Sequence, residues 1–412
     1  MLARFKRYIS EQHLIPEGAT VLLAVSGGRD SVAMADLFRR AGIPFEIAHC
    51  NFNLRPGDCD RDEAFVRQLA DCYGVPCHVA NFDTRAFAAE QGMSIEEAAR
   101  HLRYEYFAQL LKQSSNQAIK QSVVATAHHA DDSVETFFLN LFRGTGLHGL
   151  HGIRPLSSQT IKQSSNQAFT IIRPLLCFSR ADIDAYIAER GLRYVEDYTN
   201  AELDARRNRI RHQLMPLLRE LYPNVDATML ANIERLHGSE QLLDSFVDQF
   251  RQQLVKPYLS ILPAEHYHLP PIDALDLTQL STFKFQLSTL YELLRPYGFN
   301  DSTVEDILNS IKQSSNPTGR RFYSPSHVAE LHRGQLLFAP LKQSGTQAIR
   351  HTDTRPWRPG DRFRPKGMRG TRLVSDFLKD LHLSRIEKQY VLVRVDADDR
   401  ILAVVGLRDA EI

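Results

Sequence analysis

A short apolar run at residues 21–25 (VLLAV) leads straight into Ser26-Gly27-Gly28-Arg29-Asp30-Ser31 and then into a helical pattern. This order of strand, glycine turn and helix constrains the fold more than any other feature. Two adjacent glycines let the backbone turn sharply and approach a ligand without Cβ contact. The first N–H groups of a helix lack intrahelical partners, so with Ser26 and Ser31 they make a ready anion site. Asp30 has the wrong charge for a phosphate cradle unless a divalent cation lies between; Mg²⁺ bridging carboxylate and phosphate oxygens fits that need. A capped strand–turn–helix connection explains Ser-Gly-Gly alone equally well. The full S-G-G-x-D-S at a strand's C-terminal tip favours a ligand, because open α/β sheets bind there. No Gly-Lys-Ser/Thr follows, so this is not a Walker A loop.

The pattern then repeats. Strands are predicted at 45–48, 77–79 and 123–127. Helices are predicted at 31–40, at 60–73 ending at Gly74, at 94–111 and at 131–142; the third opens with the capping box Ser94-x-x-Glu97. Such alternation means an α/β domain, a parallel sheet with helices on both faces, over residues 1–218. Residues 219–345 read as a helical middle domain, with helical patterns at 221–250, 277–297 and 301–311. Residues 346–412 read as a small mixed α/β domain with strand-like runs at 371–374, 390–395 and 401–405. A polar sequence recurs at 112–122 (KQSSNQAIKQS), 162–168 (KQSSNQA), 312–316 (KQSSN) and 342–349 (KQSGTQAI). Its spacing is irregular, which excludes a solenoid. The copies read as insertions into surface loops, where added length costs little.

A formal net charge of +1 excludes a uniformly basic nucleic-acid binder but not local basic patches. Five cysteines without C-x-x-C spacing are no disulfide framework. No apolar stretch approaches membrane-helix length. The first twenty residues carry Glu11 and Glu17 and no signal-type apolar run. A cytoplasmic location is expected, with no membrane partner. Gly144-Thr145-Gly146-Leu147-His148-Gly149 matches G-x-G-x-x-G but follows a helix, so it fails the structural condition for a dinucleotide fingerprint.

The SGGRDS segment resembles the PP-loop of the ATP pyrophosphatases. Further segments resemble one family within that class, the bacterial tRNA(Ile)-lysidine synthetases. They are His49-Cys50-Asn51-Phe52-Asn53-Leu54-Arg55, with Phe52 where many members have His, and Ala99-Arg100-His101-Leu102-Arg103-Tyr104. Next come Thr126-Ala127-His128-His129-Ala130-Asp131-Asp132-Ser133-Val134-Glu135-Thr136 and then Arg143-Gly144. Arg173-Pro174-Leu175-Leu176, Glu196-Asp197, Asn200 and Arg207-Asn208-Arg209-Ile210-Arg211 follow. Near the C-terminus, Trp357-Arg358-Pro359-Gly360-Asp361-Arg362-Phe363 is similar to the last domain of longer members.

The resemblance implies a ligase that joins free L-lysine to C2 of the wobble cytidine (position 34) in the CAU anticodon of tRNA(Ile). ATP would sit on Ser26, Gly27, Gly28, Arg29, Asp30 and Ser31, with Asp30 holding Mg²⁺. The C2 oxygen would attack the α-phosphate, and the lysine amine would then displace AMP. The codon read would change from AUG to AUA. Asp132 and Glu135, three apart on a helix, share a face that suits the ammonium groups of lysine; a solvated acidic face is the rival reading. His128 would contact phosphates or the adenylated base, against an ordinary surface histidine. Arg100 and Arg103 would stabilise charge as pyrophosphate leaves, against surface ion pairing. Arg206, Arg207, Arg209 and Arg211, and a second set at Arg355, Arg358, Arg362, Arg364, Lys366, Arg369 and Arg372, suit tRNA phosphates or a solvated face. The middle and last domains would bind tRNA, and the reading leaves room for a homodimer. The alternatives are a PP-loop tRNA thiolase and a non-catalytic RNA-binding module that retains ATP.

Overall fold

The computed structural model describes residues 1–54, 57–113, 123–160, 168–196, 206–280, 282–313, 318–341 and 353–410. Most of each KQSSN-like copy, together with Arg55, Asp197 and Asn200, lies outside these residues. The chain divides into two compact units, Met1–Glu240 and Gln241–Ile412.

The first unit begins with α1 (Leu2–Glu11), β1 (Val21–Ala24), α2 (Arg29–Ala41), β2 (Phe45–Asn51), α3 (Asp58–Tyr73), β3 (Cys77–Asn81), α4 (Thr84–Gln91) and α5 (Ile95–Gln113). It continues with β4 (Val123–Ala125), α6 (Ala130–Arg143), β5 (Leu156–Thr160), β6 (Ala168–Ile172), α7 (Arg180–Arg190), α8 (Arg206–Arg209), α9 (Met215–Leu221) and the first part of α10 (Val225–Leu254), a helix that runs past the division at Glu240. The strands form one sheet in the order β3-β2-β1-β4-β6-β5. All neighbours pair in parallel except β5, which pairs antiparallel to β6 at the edge.

Strand alternation decides what each residue faces. Val21, Leu23, Val123, Ala125 and Ile172 pack with Phe5, Val32, Phe38 and Ile183, which come from α1, α2 and α7. Leu22, Val124 and Ile171 pack on the opposite face with Phe107, Ala108 and Leu111 of α5. The parallel sheet is therefore covered on both sides, as the alternating pattern predicts. The Ser94 capping box is formed: the Glu97 amide donates to Ser94 Oγ at 3.2 Å, and the Ser94 amide donates to Glu97 Oε2 at 3.0 Å.

The sheet order sets the position of the site. From β1 the chain moves outward to β2 and β3, then returns to place β4 on the other flank of β1. Neighbouring connections thus leave the tips of β1 and β4 in opposite directions and open a crevice between them, where α/β sheets bind ligands.

In the second unit the helix expected at 301–311 is present as Asp301–Gln313, whereas the pattern at 277–297 gives the short helices Leu277–Leu280 and Gln286–Leu294 in place of one. The expectation of a helical middle domain nevertheless needs correction. Strands β7 (Val255–Pro257), β8 (Asp273–Asp276), β9 (Arg321–Tyr323), β10 (His327–His332) and β11 (Gln335–Pro340) form a five-stranded antiparallel sheet in the order β7-β8-β11-β10-β9. Leu275, Leu331, Leu336 and Phe338 of this sheet share a core with Leu290, Leu294, Val304 and Ile307 of the helices. A separate core gathers Phe363, Val374, Leu378, Val391, Val393 and Val404. The expected strand at 371–374 is only Arg372–Leu373, followed by a helix over Val374–Asp380.

Candidate active site

Residues 26–31 leave the tip of β1 and enter α2. Gly27 has φ +91°, a conformation L side chains rarely adopt, and a Cβ there would lie 3.4 Å from Val66 Cγ2. Glycine is required at this turn. The Gly28 amide donates to Ser26 Oγ at 3.3 Å, and Ser31 Oγ donates to the Gly28 carbonyl at 2.8 Å. Gly28 is the N-cap of α2 and supplies no side-chain acceptor, so the first turn's amides face the crevice with capacity for an anion.

That crevice is a cavity of about 880 Å³, within the range of small-molecule sites. Ser26, Gly28, Arg29, Asp30 and Ser31 line one wall. Arg100, Arg103, His128 and Asp132 line others, as do Arg180, Arg207 and Arg211. Of the residues expected at the site, Gly27 shapes the turn without lining the cavity, and Glu135 lies behind the wall. Arg29 is held from the side, with NH1 2.6 Å from Asp184 Oδ1 and its guanidinium 5.1 Å over the Tyr194 ring. Arg100 and Arg103 lie over the rings of Tyr104 and Phe52, at 4.9 Å and 5.3 Å.

A chain of charged contacts links the two strand tips. Arg180 donates through NH1 to Asp30 Oδ1 at 2.5 Å, and its NH2 lies 3.0 Å from His129 Nε2. The His129 amide donates to Asp132 Oδ2 at 2.9 Å. Burial raises the Asp30 carboxyl above its ordinary range, although Arg180 and His129 pull it back. Burial would raise Asp132 too, but His129, Arg207 and the His129 amide outweigh it and hold that carboxyl low. Burial lowers His128 to about 4, so its ring is neutral at pH 7. Thr126 Oγ1 lies 3.0 Å from His128 Nδ1.

Asp132 and Glu135 do share a helical face, but they are not a solvated acidic patch. Glu135 is 2% exposed. Arg207 Nε donates to Glu135 Oε2 at 2.7 Å and Arg207 NH2 to Asp132 Oδ1 at 3.0 Å. Arg211 Nε donates to Glu135 Oε1 at 2.6 Å, and Arg211 NH2 lies 3.1 Å from Asp132 Oδ1. Two of the arginines expected to grip RNA are therefore committed to these carboxylates. Their spacing of four, which like the three of Asp-x-x-Glu keeps both side chains on one helical face, was the available signal. Arg180 was missed altogether. Its signal was the Ser179-x-x-Asp182 capping box, which places Arg180 at the start of α7.

Asp30 fits a divalent cation in chemistry: it is a carboxylate on the cavity wall, Arg180 holds one of its two oxygens, and hard cations take oxygen ligands. Of the cysteines, Cys50 lines the cavity, but burial pushes its thiol up to about 12.

Residues 1–218 match the model of the PP-loop domain, and residues 272–341 match that of the TilS substrate binding domain. The tRNA(Ile)-lysidine synthase of Bacteroides thetaiotaomicron is 33% identical, over 98% of this chain and 94% of the relative. That of Parabacteroides distasonis is also 33% identical, over 99% and 95%. Among solved structures, a U34-tRNA thiolase NcsA from Methanococcus maripaludis aligns at 16% identity and TM-score 0.43, covering 57% of this chain and 79% of that one. A score this low carries no weight. The PP-loop match over more than half the chain and the near-full-length relatives are decisive: the chain belongs to the tRNA(Ile)-lysidine synthase family.

Proposed function

We propose that this chain uses ATP to join free L-lysine to C2 of the wobble cytidine of tRNA(Ile) bearing a CAU anticodon, releasing pyrophosphate and AMP. The carrying observation is that a single cavity holds the glycine turn at the tip of β1 and, at the tip of β4, Asp132 with its two arginines. Activation and capture can then occur without the intermediate leaving the site.

Ser26, Ser31 and the opening amides of α2 hold the ATP phosphates. Asp30 is the residue to hold Mg²⁺, which would supply positive charge against them. Arg100 and Arg103, on the wall contributed by α5, stabilise negative charge as pyrophosphate departs. The C2 oxygen of the cytidine attacks the α-phosphate to give the adenylated base. Free lysine carries both ammonium and carboxylate groups. Asp132 complements the former; Arg207 and Arg211, paired with the acids yet still lining the cavity, complement the latter. Glu135 keeps both arginines in position. The attacking amine must first lose a proton; neutral His128 and ionised Asp132 are the acceptors the wall offers. The amine then attacks C2 and AMP leaves.

Residues 219–345 and 346–412 are assigned to gripping tRNA. In the last segment Arg355 is committed to Asp361 and Asp399, and Arg372 to Asp380. Exposed Arg358, Arg362, Lys366 and Arg369 are better placed for phosphates. Among the described residues no helix is long and apolar enough to cross a membrane. A reaction on tRNA with ATP belongs in the cytoplasm. A thiolase is disfavoured by Cys50, which burial keeps as a thiol rather than the thiolate that attacks. The test supplies unmodified tRNA(Ile) transcript, ATP and labelled lysine. Label entering the RNA with stoichiometric AMP supports the proposal; RNA that stays unlabelled while binding, or that gains sulfur, refutes it.

A further inference from the structure

The basic run at the end of the first unit faces two ways. Arg207 and Arg211 turn to Asp132 and Glu135. Arg206 and Arg209, three apart, line a different cavity of about 200 Å³ together with Arg143, Phe142, Leu139 and Ile210. The Phe142 side chain is 66% exposed, and its ring stacks on Phe138 at 5.9 Å and 25°. At that exposure burial does little to hold the ring in place. An open ring face with three arginines around it suits a polyanion that presents a flat base. Phe142 stands ten residues beyond Asp132 on α6, about 15 Å along the helix. The first cavity opens at the Asp132 end of the helix, so the second is set for a different nucleotide of the same loop.

We propose that this cavity seats an unpaired base of the tRNA anticodon loop other than the one modified. The base stacks on Phe142, and its flanking phosphates lie against Arg143, Arg206 and Arg209. This rests on the reading of tRNA(Ile) as substrate, and the cavity would act as a positioning and selectivity site for it.

The experiment places 2-aminopurine singly at each loop position outside the modified base in a tRNA(Ile) transcript. Fluorescence is followed on binding to the full chain and to Phe142→Leu, Phe142→Trp and the double variant Arg206→Gln/Arg209→Gln. In the wild-type chain one position should be quenched by stacking. Phe142→Leu should lose that quench and raise the tRNA KM about tenfold, with the ATP and lysine KM unchanged. Phe142→Trp should retain both. The double arginine variant should weaken tRNA binding and lower the salt slope by about one to two units. The proposal is overturned if no position is quenched by the wild type, or if Leu, Trp and wild type behave alike. It is also overturned if Trp fails as badly as Leu, or if the arginine variant keeps the wild-type slope. Quenching reads binding alone, so a chain that shows the quench but makes no lysidine would refute the enzymatic reading and leave the cavity standing.

Discussion

Replacing Glu135 with Gln isolates what the four-charge cluster contributes. The side chain is almost wholly buried and accepts three guanidinium hydrogen bonds, at 2.6, 2.7 and 2.9 Å. Gln keeps the shape and one acceptor oxygen, but it removes the charge and turns an NH2 donor toward the arginines. Breaking a buried pair from one side costs about 3–5 kcal/mol. Here the arginine side chains are 36% and 25% exposed, so water can take over part of their solvation. The loss should fall toward about 2–3 kcal/mol. A chain with two compact units need not unfold in one step, so hydrogen exchange on peptides from α6 is the suitable assay. Glu135→Gln, Arg211→Gln and the double variant close a cycle, whose coupling should be about 1–3 kcal/mol. The reasoning fails if α6 protection changes by less than about 0.5 kcal/mol and the two substitutions add. A Glu135 that only held lysine would give that result, with a raised lysine KM and unchanged stability.

Other expected outcomes follow from single features. Gly27→Ala puts a Cβ at φ +91°, which should cost about 1–2 kcal/mol of local strain and raise the ATP KM with little change for lysine, as steady-state kinetics would show. His128 titrates near 4 when folded and near 6.5 when unfolded. The unfolded chain therefore binds more protons between those values, and stability should fall as pH drops from about 6.5 to about 4, then level off. His128→Gln should remove at most roughly 3 kcal/mol of that fall, read as the difference between the two pH profiles of unfolding. Glu240 is fully buried and takes His148 Nδ1 at 2.7 Å as well as Arg154. Glu240→Gln should lower the melting temperature of the first unit while leaving the ATP KM unchanged.

The sheet was legible where apolar runs are short and end at glycine or at a cap, as in β1 through β4. The edge pair was not. β5 reads LSSQT, with too few apolar residues to show a period, and a KQSSN-like copy separates it from β6. The hairpin of β10 and β11 was masked for another reason. Its two-residue turn uses Arg333 and Gly334, both at positive φ, in place of the Asn-Gly or Asp-Gly that announces such turns. β10 also buries Glu330 and His332, which break the expected apolar alternation.

At the site, the glycine turn announced itself because its chemistry is local. Asp132 and Glu135 were visible through helical spacing, but their environment was not. Their arginine partners lie more than seventy residues further along the chain and arrive only through the packing of α8 and the following turn Ile210–Leu214 against α6. Arg180, 150 residues from Asp30, was hidden in the same way.

The central claim is that one cavity activates the base at the tip of β1 and captures the amino acid at the tip of β4. Single-turnover mixing of the chain with labelled ATP and unmodified tRNA(Ile), first without lysine and then with it, tests this directly. Pyrophosphate should form before lysine is added, and AMP should be released only afterwards. Asp30→Ala should abolish both signals, and Asp132→Ala should spare the first while slowing the second. Pyrophosphate release that ignores tRNA, AMP release that ignores lysine, or equal loss of both signals in Asp132→Ala would contradict the claim.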